Sequence, residues 1–146
     1  MDSYNERLQK LQTEFEQMVD SIPSQEIGEN GYKRGTLTAY KNAISELACI
    51  NSEYSEDSNK EVRDYFDFLK RNRGESEHNR HSIVGTPLLE NQYFGQEDAY
   101  TRLMSMVKAA FPDLITEHIP AYSTVDQQKI KMGPQGKIFN MFMIKI

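Results

Sequence analysis

Residues 114–146 read LITEHIPAYSTVDQQKIKMGPQGKIFNMFMIKI, and how they are read decides the fold class. Leu114 to Ile119 can alternate as a strand before Pro120. Residues 125–132 and 137–146 flank Gly133-Pro134-Gln135-Gly136, a four-residue loop between two runs rich in strand-favouring side chains. In the last run Ile138, Asn140, Phe142, Ile144 and Ile146 share one face; Phe139, Met141, Met143 and Lys145 share the other. Both faces are mostly apolar, so the expected strand is central or covered on both sides.

Upstream of this stretch the pattern is helical. Tyr4, Leu8, Leu11, Phe15, Met18 and Ile22 recur at alternating steps of four and three, behind a Ser3–Glu6 capping box and ahead of Pro23. The glycines of PSQEIGENGYKRG (residues 23–35) break the period and read as a linker. Leu37, Tyr40, Ile44, Leu47 and Ala48 line a second helix, with Thr36 or Thr38 as its cap; Cys49 sits beside that stripe and reads as a small buried apolar side chain. A second box, Ser58–Glu61, opens a third helix with Val62, Tyr65, Phe66 and Leu69 inward, and Gly74 is a C-terminal stop. Tyr100, Leu103, Met104, Val107, Ala110 and Phe111 give a fourth. The expected architecture is a single α+β domain. Helices at about 3–22, 36–52, 59–73 and 96–111 pack on a small, mainly antiparallel sheet of strands at about 114–119, 125–132 and 137–146.

Length and composition agree with one domain. The chain has 146 residues, enough to bury a core without staples. Its single cysteine excludes a disulfide framework and a thiolate-rich metal site, which fits a reducing compartment. The opening MDSYNERLQK has no apolar run, and no stretch is long enough to span a membrane, so a cytoplasmic protein is expected. Net charge is −5, a poor balance for general nucleic-acid binding. The charge is uneven: residues 70–81 hold four basic and two acidic side chains, and residues 127–146 hold four lysines and no acid.

Function is sought in Lys70 to Pro87, KRNRGESEHNRHSIVGTP. It carries Lys70, Arg71, Arg73 and Arg80 with His78 and His81. Residues 75–95 show no strong period, and long irregular connections are often functional. Arg71, Arg73 and Arg80 offer planar forks for phosphate or carboxylate. His78, His81 and Thr86 would complete a pocket, and Tyr93 would stack on a base. The bland alternative is helix-end chemistry: Lys70, Arg71 and Arg73 crowd a last turn where the dipole favours cations. His78 and His81, three apart, lack a third ligand, so no metal and no cofactor is expected.

Arg71-Asn72 or Arg73, followed by His78, resembles the R-x(4–6)-H signature of HEPN-type ribonucleases. That resemblance implies an arginine on the scissile phosphate and a histidine in acid–base work, without a metal. It extends over a few residues only. The chain departs from the family in having Gly74 inside the motif and an expected β-hairpin where an all-α fold is required. The preferred expectation is a non-catalytic binding or regulatory protein, of inhibitor or sequestering type. It would engage a partner protein or a small anionic ligand such as a nucleotide through residues 70–87. A third reading is a structural homo-oligomer assembling through Leu8, Leu11, Phe15 and Met18.

Overall fold

The computed structural model describes residues 4–22, 30–52, 58–83 and 85–120. Among them the chain forms four α-helices and no strand: α1 (Tyr4–Asp20), α2 (Gly31–Ser52), α3 (Ser58–Ser82) and α4 (Pro87–Ala110). The described fold is therefore all-α, not α+β. Where alternation predicts a strand at 114–119, the chain makes a turn. The amides of Leu114 and Ile115 both donate to the Phe111 carbonyl at 3.0 Å. The turn closed by those two bonds carries Ile115 back beside Phe111, and both are buried in the helical core. The strands expected at 125–132 and 137–146 lie outside the described residues, as does the Ser3 half of the first capping box.

α4 is the spine, because all three other helices pack on it. α2 runs parallel to it, since Gly31 lies beside Leu88 and Asn42 reaches Tyr100. α3 runs antiparallel, since Arg80 meets Glu97 and Arg73 meets Thr101. The start of α1 lies on the end of α4. There Arg7 donates to the Ala110 carbonyl (3.1 Å), its guanidinium stacks over Phe111, and Tyr4 tilts against the same ring.

Three boundaries differ from the sequence reading, each for a physical reason. α2 begins at Gly31 rather than Thr36, because the Asn30 carboxamide accepts the Lys33 amide (3.0 Å) and caps it early. The glycines that read as punctuation are packing residues. A Cβ on Gly35 would overlap the Gln92 backbone, one on Gly31 the Leu88 carbonyl, and one on Gly95 the Tyr32 carbonyl. Glycine lets the two backbones touch.

α3 continues eight residues past Gly74, since it ends at Ser82. A mid-helix glycine costs about 1 kcal/mol relative to alanine. Tertiary contacts beyond it outweigh that cost: Ser76 is 3% exposed and bonds to the Asn72 carbonyl and Gln96, and Arg80 pairs with Glu97. α4 begins at Pro87, whose missing amide suits a first helical position. The irregular 75–95 connection is thus helix at both ends. What remains as connection is residues 83–86, with Gly85 at φ +84° in the left-handed region that favours glycine.

The core holds Leu8, Leu11 and Phe15 of α1, Ala43 and Leu47 of α2, Val62, Phe66 and Leu69 of α3, and Leu103, Met104 and Val107 of α4. The α1 stripe is used up in the chain's own interior. Cys49, read as buried, is exposed.

Candidate functional site

The basic segment folds as the second half of α3, and helical geometry splits its cations into two sets. Arg73 and Arg80 lie seven residues apart, two turns, on the side facing α4. Both converge on Glu97. The Arg80 Nε donates to Glu97 Oε1 at 2.8 Å, and an Arg73 terminal nitrogen lies 3.5 Å from Oε2. The three side chains are 13%, 15% and 6% exposed for Arg80, Arg73 and Glu97. Arg73 Nε also donates to Thr101 Oγ1 (2.9 Å), Glu77 stands 3.5 Å away, and Arg80 stacks over Phe94. These forks hold a carboxylate from their own chain.

Arg71 and His78 lie on the opposite side of α3, His81 lies about 100° round from Arg80, and all three are exposed. Thr86 occupies the N-cap position of α4, exposed and making no side-chain cap bond. Tyr93 is half-buried nearly two turns into α4. The structure therefore pairs Arg73 with Arg80, places Arg71 with His78 on another face, and does not gather the seven candidates into one pocket. Of the two ribonuclease-like spacings, Arg73 to His78 puts its members on different faces. Arg71 to His78 puts them on one face, two turns apart.

Sequence reading missed the acids that organise this end. Glu97 and Asp98 are adjacent, buried, and turned about 100° apart by the helix. Glu97 faces α3. Asp98 faces α2, where it accepts the Tyr32 hydroxyl at 2.8 Å. Burial, then the Asp98 carboxylate, pushes the Tyr32 phenol well above its ordinary value. Tyr100, which accepts from Asn42 Nδ2 at 2.9 Å, is also raised, chiefly by burial. The missed signal is in the spacing: Phe94, Glu97 or Asp98, Thr101 and Met104 continue the inward stripe of α4 toward its start, with acids at inward positions.

No group of three or more His, Cys, Asp or Glu side chains that could hold a metal occurs among the described residues. No helix among them is long and apolar enough to cross a membrane. A groove of about 450 Å³ lies between α1 and α4, lined by Arg7, Lys10, Leu11, Glu14, Met106, Ala109 and Ala110. It sits near the C-terminal end of α4, away from the basic segment. Comparison with family models, curated proteins and solved structures finds no match for this chain.

Proposed function

We propose that this chain is a non-catalytic binding protein that engages an acidic, apolar-flanked segment of a partner protein. The docking end is where α2 and α4 start and α3 finishes. The observation that carries this reading is the Leu88–Leu89 pair, 37% and 39% exposed, the exposed large apolar side chains of the described residues. They stand in the first turn of α4, beside the start of α2. That first turn of α2 holds Lys33 and Arg34 and no acid. A helix start is already the positive end of the dipole, so cations there work against the helix. Two parallel starts side by side add their positive ends, and His81 arrives in the last turn of α3. Glu90 follows them in the same turn, and with Lys33 and Arg34 on the α2 side the leucines complement a segment that alternates acids with apolar side chains on that side.

The test is selection from a displayed peptide library with the whole chain as bait. Enriched peptides carry Asp or Glu beside Leu, Ile or Phe, and lose binding to Leu88→Ser/Leu89→Ser. Enrichment of sequences that bind the double variant equally well removes the assignment. Titration with a nucleotide forms the control arm: saturable binding there would favour a small anionic ligand instead.

A second reading, ribonuclease chemistry, is supported by the shared outward face of Arg71 and His78. Metal-independent cleavage of RNA that vanishes in both Arg71→Ala and His78→Ala would sustain it. Activity surviving His78→Ala would eliminate it.

A further inference from the structure

Gly74 stands in the middle of α3, exposed, and nothing lies within 4 Å of where a Cβ would sit. The other described helical glycines, Gly31, Gly35 and Gly95, behave differently. At each, the backbone of a packed helix fills the space of the missing side chain. In this chain a helical glycine marks a point where two helices cross in contact. Gly74 has the same form without the neighbour. It carries the helix at a propensity only proline undercuts, and no intramolecular packing repays that.

The surrounding side chains indicate what would cross there. Asp67, Lys70, Arg71, His78 and His81 are all exposed on the outward side of α3. Arg71 lies three residues before Gly74, and Glu77 three after. Asp67 lies seven before, and His81 seven after. A second α3 crossing antiparallel, with a two-fold axis at Gly74, sets residues equally far on either side against each other. Arg71 then faces Glu77 of the other copy, and Asp67 faces His81, each pair formed twice by symmetry. Lys70 falls opposite His78, a contact without attraction. Arg71 makes no ion pair with any described residue, and Glu77, which stands 3.5 Å from Arg73 of its own helix through one oxygen, is 44% exposed and would be shared with the other copy's Arg71.

We propose that the outward face of α3 is a self-association surface, through which two copies of this chain pair antiparallel across Gly74. The face differs from the bundle end that carries Leu88 and Leu89, so the two assignments stand or fall separately. It also differs from the α1 stripe, whose Leu8, Leu11 and Phe15 are buried in the core.

Sedimentation velocity of the full chain over a wide concentration range tests this. Wild type shows a concentration-dependent dimer. Arg71→Glu and Glu77→Arg each weaken it roughly tenfold, the size expected for losing and reversing symmetric charge pairs. The double reversal Arg71→Glu/Glu77→Arg restores it, which a merely misfolded variant could not do. Gly74→Leu abolishes the dimer while circular dichroism shows α3 helix retained, because leucine favours the helix but blocks close approach. Leu88→Ser/Leu89→Ser leaves the dimer unchanged. A wild type that stays monomeric, a double reversal that fails to restore pairing, or a dimer lost through Leu88 and Leu89 would each overturn the proposal.

Discussion

α4 passes through two different interiors. Its last two turns, from Leu103 to Ala110, with Phe111 just beyond, meet Leu8, Leu11, Leu47, Val62, Phe66 and Leu69 in a cluster of apolar and aromatic side chains. Its earlier turns bury Glu97, Asp98 and Thr101 against Arg73, Arg80 and Tyr32. Both ends exclude water, but by different means. The apolar end gains from area removed from water, roughly 25 cal/mol per Å². The polar end must recover the desolvation of several charges before it gains anything. Stability is thus expected to reside at the apolar end, and partner choice in orientation and register at the polar end.

The sharpest way to break that contrast is to hollow out the apolar side. Phe66 and Leu103 are fully buried, at 0% exposure. Phe66→Ala should cost about 3–5 kcal/mol and Leu103→Ala about 2–5, read as shifts of the urea midpoint at unchanged slope. For the polar end, Glu97→Ala should cost roughly 2–4 kcal/mol, because it leaves two guanidinium groups facing each other with little water. Replacing the whole set, Arg73→Met/Glu97→Leu/Arg80→Met, should return stability to within about 1 kcal/mol of wild type or better. A triple variant as unstable as the single one would mean that the charges are net stabilising, and the contrast between the ends would fail.

Alkaline titration separates the ends by a smaller amount. The phenols of Tyr32 and Tyr65 are both raised above the ordinary value of 10.0, first by burial, then by the Asp98 carboxylate at Tyr32 and by Glu46 at Tyr65. Below that value the phenol is protonated folded and unfolded, so its contribution is complete and constant. Above it the unfolded chain sheds protons that the fold retains. Stability then falls as pH rises, by about 1.4 kcal/mol per pH unit for each tyrosine kept protonated. Thermal melts between neutral pH and about pH 11, well past the ordinary phenol value, should show the slope. Tyr32→Phe should flatten it at the polar end and Tyr65→Phe at the apolar end, where the variant also loses the 2.8 Å bond to the Ala43 carbonyl. Equal slopes in wild type and both variants would mean that neither phenol is held protonated.

The apolar end was legible in the sequence because its signal is periodic. Leu8, Leu11 and Phe15, or Val62, Phe66 and Leu69, announce an inward face whatever packs on it. The polar end was not, because its determinants are read by type before they are read by position. Gly31, Gly35 and Gly74 look like breaks, yet each lies within a helix held by contacts to α4. Glu97 and Asp98 look like solvated charge in the first turn of a helix expected at about 96–111, but with α4 starting at Pro87 they lie in mid-helix on its inward stripe. Arg71, Arg73 and Arg80 look like one cluster in a list and become two faces on a helix. The apolar alternation at 114–119 promised a strand, but a turn closed on the Phe111 carbonyl took Ile115 into the core beside Phe111.

The smallest expected effect isolates burial from geometry. Lys60 and Asp64 approach to 2.8 Å, the same separation as Arg80 and Glu97. Their side chains, however, are 65% and 59% exposed. Water and counter-ions screen such a pair, and two long side chains lose entropy in holding it. Asp64→Asn should therefore change stability by about 0.5 kcal/mol at most, and by less still in high salt. Glu97→Gln at the identical distance should cost several times more and respond weakly to salt, since little water reaches it. Equal effects at the two sites would show that separation alone sets the strength of an ion pair here, and the polar end of α4 would lose its special status.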